Sequence, residues 1–393
     1  MVRLGLELRA VFNKADGIDA PFDQPMPIQG KQNVMIRLAG PSPTMKAMLV
    51  DYRRTVRRRV MVIALIAAIA VAAFVADLVT GPSGMGARDV LYGIAYPDRI
   101  TAGQRAIIWD VRLPYAMMAV MVGASLSLAG AEMQTILDNP MASPFTLGVS
   151  SAASFGASLA IVLGIGLPFA GGWAADWMVS LNAFLFAFLA MLLLQAVARQ
   201  RAAGAQTLVL LGIALVFAFN ALTSLVQFLS SQEALQQLVF WTMGSLSRAT
   251  WSNVSVLALV LLAVAPFSLA SARALTALRL GEDRAQSFGV DVGRLRFLSL
   301  FRISLLAATA VAFVGAIGFI GLVGPHIARM LLGEDHRYLL PASLFTGAAI
   351  MSVASALSKL LVPGVLMPVG IVTAMIGVPI FLFLIFRSGR QGA

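Results

Sequence analysis

A chain of 393 residues that is 59% hydrophobic and 12% charged, with a mean hydropathy of +0.86, cannot hide its apolar surface in a water-soluble core. It has no cysteine, which excludes thiolate metal sites, iron–sulfur clusters and disulfides. The net charge of +11 points to basic residues gathered on one face of a bilayer rather than to nucleic acid, since no stretch interleaves basic and aromatic residues.

The first fifty residues stand apart. Pro21-Phe-Asp-Gln-Pro-Met-Pro27 and Gly40-Pro-Ser-Pro43 are turn-rich, and no long apolar run occurs there. Residues 1–50 read as a poorly ordered cytoplasmic extension, with a membrane domain at 51–393. The apolar h-region and cleavage site of a signal peptide are missing, and Asp16, Asp19 and Asp23 are wrong for a transit sequence.

A membrane-spanning helix takes about 20 mostly apolar residues. Ten segments meet that requirement, at about 60–79, 113–134, 146–167, 178–198, 207–230, 253–271, 297–317, 319–333, 339–361 and 369–386. The eighth is short and holds Pro325, so the seventh and eighth also read as one span and a re-entrant piece. The expected fold is an all-α polytopic membrane protein of about ten helices. With ten spans, eighteen of the 29 basic residues fall on one side, six on the other and five in the extension. The basic side is therefore cytoplasmic and holds both termini.

Few ionisable groups lie inside the spans: Glu132 near the inner end of the second, Arg302 near the start of the seventh, and Lys359 near the outer end of the ninth. Ion-coupled transporters bury acidic or histidine relays at mid-membrane. None is visible, so energy for uphill movement would come from another subunit. On the outer side, segment 80–112 is the longest, and Gly244 and Ser245 beside Trp241 mark a candidate short helix at a pathway mouth. On the inner side, loop 273–296 is unusually long. Leu278, Gly281, Ala285 and Gly289 fall at helical spacing, giving a small, flat face that invites a partner, with Gly289 stopping one short helix before another at 290–295.

The stretch Gly315–Arg329 is apolar enough for a bilayer, yet holds four glycines, Pro325, His326 and Arg329. Broken backbone at membrane depth survives only where protein buries it or a cavity hydrates it, so Gly318, Gly321, Pro325 and His326 mark a shaped path through the molecule. His326 and His336 are the only histidines, too few for a metal site, and both read as structural. No Walker A loop, Rossmann fingerprint, HExxH or nucleophile elbow is present, so no nucleotide, cofactor or covalent chemistry is expected of this chain.

Five blocks, in order, carry a resemblance. They are Arg112-Leu-Pro114 with Gly123–Leu126, Ala129–Ala131, Gln134, Asn139–Ala142, Pro144 and Leu147–Ser151; then Trp241–Leu246; then Leu280-Gly-Glu282 with Ala285 and Gly289; then Gly315–Arg329 with Asp335–Arg337; and finally Pro368–Pro379. They resemble the FecCD-type permeases of ABC importers, which take up iron–siderophore complexes, haem and cobalamin. The resemblance covers residues 57–390. It implies ten helices per subunit and two permease subunits, identical or related, around a pathway in a bacterial or archaeal inner membrane. A cytoplasmic ATPase dimer would lie beneath and an extracytoplasmic substrate-binding protein would dock outside, the iron–siderophore reading standing ahead of haem or cobalamin. An ion-coupled secondary transporter is the rival class. By the same resemblance Leu280, Gly281, Glu282, Ala285 and Gly289 belong to ATPase-coupling helices, and Arg112 and Lys359 face acidic residues of the binding protein. Four positions depart from the pattern: Tyr115 for an arginine, Ser355 for an aspartate, Leu366 for an acidic residue and Ala152 for a glycine.

Overall fold

The computed structural model describes residues 43–166, 177–198, 205–362 and 364–389, which contain helices and no strand. The chain divides into two units, 1–52 and 53–393. Most of the expected extension, residues 1–42, lies outside the described residues, and the first helix begins at Pro43, ahead of the boundary expected at 50.

In chain order, α1 (Pro43–Val79) carries the first apolar segment. The outer segment that follows is largely helical rather than an open loop: α2 (Ala87–Ala95), a 3-10 turn at Pro97–Arg99, a helical turn at Ala102–Arg105 and a π-helical stretch at Ala106–Arg112. This leads into α3 (Leu113–Ile136), with Pro114 in its first turn, where a missing N–H costs little. Next come α4 (Val149–Leu163), α5 (Met178–Ala198), α6 (Ala205–Phe228), the short α7 (Gln232–Thr242) and α8 (Trp251–Ala270). The inner loop forms α9 (Ala272–Leu278) and α10 (Glu282–Ser287). The chain then runs through α11 (Val292–Val314), α12 (Ile320–Leu332), α13 (His336–Leu360) and α14 (Val369–Gly389). Each predicted segment coincides with a helix. Seven are long and apolar enough to cross a bilayer, while α4, α12 and residues 369–382 of α14 are apolar but shorter.

The hub is α3, which packs against α8, α11, α12 and α13 and is buried along most of its length. Its composition explains this. A methyl group on Gly123 would overlap the Gly347 carbonyl of α13, and one on Gly130 would overlap the Gly321 carbonyl of α12. In lipid, apolar area gives no net drive between helices, so such close backbone approach and interhelical hydrogen bonds hold them together. Ser127 adds one, donating to the Ser343 carbonyl at 2.6 Å. Around this centre α5 packs on α4 and α11, and α4 on α6.

Glu132 finds its partner here. Arg302 of α11 donates to its carboxylate from Nε (3.1 and 3.2 Å) and Nη2 (2.6 Å), and Nη2 also reaches Ser299 Oγ at 2.9 Å. Both side chains are buried. Two charges that look isolated in the sequence are one forked pair that ties α3 to α11.

Candidate functional site

The helix break is the centre of the site. α11 ends at Val314, Gly315 takes φ +78°, and Phe319 takes φ +68°, a conformation that a bulky residue rarely adopts. Gly315 and Ile317 are buried and Ala316, Gly318 and Phe319 half-buried, and the carbonyl at the end of α11 is partnered. Ser245 N–H donates to the Val314 carbonyl at 2.7 Å, and Gly370 N–H to the Gly244 carbonyl at 3.1 Å. A side chain at Gly315 would run into the Trp241 carbonyl, and one at Gly244 into that of Ala316. The turn after α7 and the start of α14 therefore clamp the break.

Of the predicted pathway residues, Gly318 lies in the break against the Phe145 ring. Gly321 and Pro325 are buried in α12, with Gly321 against the Leu126 carbonyl, and His326 is half-buried one residue further on. A cleft of about 490 Å³ opens beside Ala316, between Phe145, Ser150 and Ser154 on one wall and Ile213, Val216 and Asn220 of α6 on the other. Its polar groups are hydroxyls and an amide, and among the described residues no charged side chain lines it.

At the inner end a polar network joins α3, α9, α12 and α13. Arg329 Nη1 donates to Gln134 Oε1 at 2.8 Å and Nε to Glu334 at 3.2 Å, while Gln134 Nε2 reaches the Leu322 carbonyl at 3.4 Å. Arg279 pairs with Glu334 and with Asp138. His336 is fully buried, with Nε2 2.7 Å from Thr135 Oγ1 and its backbone N–H on Thr276 Oγ1 at 3.0 Å. It is a structural tie between three helices. Beside it, hydrogen bonds from Arg337, with Arg59 close by, hold the Asp335 carboxyl below the usual carboxylate range.

The loop at 273–296 differs from the single small-faced helix expected. Gly281 takes φ +103° and Gly289 φ +81°, so Leu278, Gly281, Ala285 and Gly289 do not share one helix. Ala285 is fully buried and Leu278 nearly so; they seat the loop on the protein. Its outward groups are Leu280, Glu282 and Phe288, with Leu280 52% and Phe288 67% exposed and Glu282 held by Arg296 at 2.5 Å. The second short helix expected at 290–295 is the start of α11, capped by Asp291.

Arg112 and Lys359, expected to face a partner outside, are turned inward. Arg112 is buried and donates to the Leu78 and Val79 carbonyls (3.3 and 2.9 Å) and to Ser83 Oγ (2.6 Å). Lys359 Nζ lies 2.8 Å from Asp77 Oδ1 and 2.8 Å from the Asp77 carbonyl, and 4.5 Å above the Tyr115 ring. Within the chain both cations bond carbonyls, a hydroxyl and a carboxylate at and just beyond the end of α1.

Comparison with known proteins places this architecture. Residues 61–387 match the FecCD transport family. The chain belongs to that family. It is 34% identical over 314 residues to the hemin transport system permease HmuU of Yersinia pestis, covering 80% of this chain and 93% of that one. It is 35% identical over 297 residues to the vitamin B12 import system permease BtuC of Salmonella paratyphi A, covering 76% and 89%. A solved structure described as an inward-facing ABC transporter of metal-chelate type superposes with a TM-score of 0.72 at 31% identity, covering 83% of this chain and 99% of that one. As a FecCD member the chain is a multi-pass ABC importer permease. Two departures from the family pattern now have a physical account. Ser355 stands where an aspartate is usual, and its Oγ donates to Asp77 Oδ1 at 2.7 Å, so the carboxylate is present but carried by α1. Tyr115, in an arginine's place, supplies the aromatic face beneath Lys359. Asp77 is the residue that sequence reading missed. The signal was there: an acid two residues before the end of α1, at the outer depth of Lys359.

Proposed function

We propose that this FecCD permease imports a metal chelate, with a ferric iron–siderophore complex first and haem or cobalamin as the alternative. The observation that carries this reading is the clamped break at 315–319 beside a hydroxyl-lined cleft. A cleft of that size without fixed charge suits a large, already chelated cargo; a bare cation would require carboxylate or carbonyl ligands. The hemin and vitamin B12 relatives support cargo of this bulk. Two cytoplasmic ATPase subunits would engage the outward groups of α9–α10. A second permease, identical or related, would complete the pathway, and an extracytoplasmic binding protein would deliver cargo, all at the cytoplasmic membrane. The permease itself performs no catalysis. An ion-coupled mechanism is disfavoured because the two acids buried within described membrane helices, Asp77 and Glu132, are both paired with cations.

The test is a pull-down of the tagged chain in mild detergent with mass spectrometry, followed by uptake assays in vesicles. An ATPase subunit should co-purify, and uptake of a ferric siderophore should stop on ATP depletion. Uptake that persists without ATP and collapses with an ionophore would overturn the reading.

A further inference from the structure

A second cavity, of about 470 Å³, lies on the other side of the turn that clamps the break. Trp241 and Arg248 form one wall, Phe240 and Leu366 supply apolar surface, and Gln236 and Gln237 of α7 stand at the rim. The Arg248 guanidinium sits 5.6 Å over the Trp241 ring, and among the described residues no carboxylate pairs with it. Trp241 is 2% exposed, and its indole N–H has no acceptor. An arginine stacked on one face keeps its N–H groups for a planar anion. Arg248 therefore brings unspent donors to a space that, among the described residues, no carboxylate lines.

We infer that this cavity is a cargo subsite for an anionic chelate, one that presents a carboxylate-like group to Arg248 and an apolar body to Phe240, Trp241 and Leu366. The inference rests on the import reading and narrows the contact its cargo makes: the neutral amides of a corrin ring gain little from Arg248, whereas the carboxylate of a siderophore or of a dicarboxylate porphyrin gains a charge-assisted hydrogen bond. The location gives the subsite a route to the pathway. Trp241 contributes the carbonyl against Gly315, and Ser245 at the cavity wall donates to Val314. Cargo seated here touches the same turn that holds the break in place.

The experiment is equilibrium dialysis of the full chain in lipid nanodiscs against three probes: ferric citrate, haemin and dicyanocobinamide, a corrinoid with amides and no phosphodiester. Arg248→Gln should weaken ferric citrate or haemin about 10-fold, the loss expected for one charge-assisted hydrogen bond. Arg248→Lys should recover part of the loss. Dicyanocobinamide should respond to neither substitution. Unchanged melting of each variant shows that the fold is intact. Absence of binding by both anionic probes, or equal binding by wild type and Arg248→Gln, overturns the subsite. If an ATPase subunit still co-purifies and ATP-driven uptake is unaltered in Arg248→Gln, the import reading stands while the subsite falls. Arg248-dependent anion binding by a chain that recruits no ATPase subunit keeps the binding site and removes the import reading.

Discussion

A carboxylate inside a bilayer persists only with a cation held against it, and the fork of Arg302 on Glu132 does this with three short contacts. Removing one partner strands the other. Arg302→Met should therefore cost about 3–5 kcal/mol of stability, and the double variant Glu132→Leu/Arg302→Met should recover most of it. Thermal unfolding in a single detergent reads both. Equal losses in the single and double variants would show that the pair is not what holds α3 to α11. Asp335 gives a pH-dependent contribution outside the membrane helices. Its carboxyl accepts from the Arg337 backbone N–H at the start of α13, and its folded pKa lies below the ordinary value of about 3.9. A depressed folded pKa means that the contribution is complete above the ordinary value and is lost as pH falls through the depressed one. Acid titration of stability should show this loss in the wild type and not in Asp335→Asn.

At the scale of elements, the inner loop separates seating from contact. Ala285 is buried while Leu280 and Phe288 project, so an arginine at 285 would unseat the loop, whereas a charge at 288 alters only its outer surface. Phe288→Asp should insert normally yet lose most ATP-driven uptake, measured in vesicles with the partner subunits present. Full uptake would remove the coupling role from this loop. The same loop shows where sequence reading stops. The apolar segments were legible as helices because most are long and continuous, although three of the ten are shorter than a full span among the described residues. The break was legible because Gly315 is a local signal, whereas Pro325, which the sequence suggested as a breaker, lies inside α12. The loop was misread because four small residues at helical spacing need not share a helix when two of them are glycines with positive φ. α2 and the π-helical lead-in to α3 were not foreseen, since neither is a long apolar run. The direction of Arg112 and Lys359 was beyond any local reading. It depends on Leu78, Val79 and Asp77, which approach only when α1 packs beside α3 and α13.

For the whole molecule, the buried groups form two ties at opposite ends of the helical core: Asp77–Lys359 between α1 and α13, and Glu132–Arg302 between α3 and α11. Between them the core is held by small-residue contacts of α3 with α12 and α13. The outer tie also sets an order of events during biogenesis. Asp77 and Lys359 lie 282 residues apart in the chain. At roughly 5–20 residues per second, a ribosome takes about 15–60 s to produce the lysine after the aspartate has been made. Through that interval the first helix carries an acid with no mate, so the newborn protein must either protonate it, keep it near the aqueous edge, or rely on an insertion chaperone until the ninth span arrives.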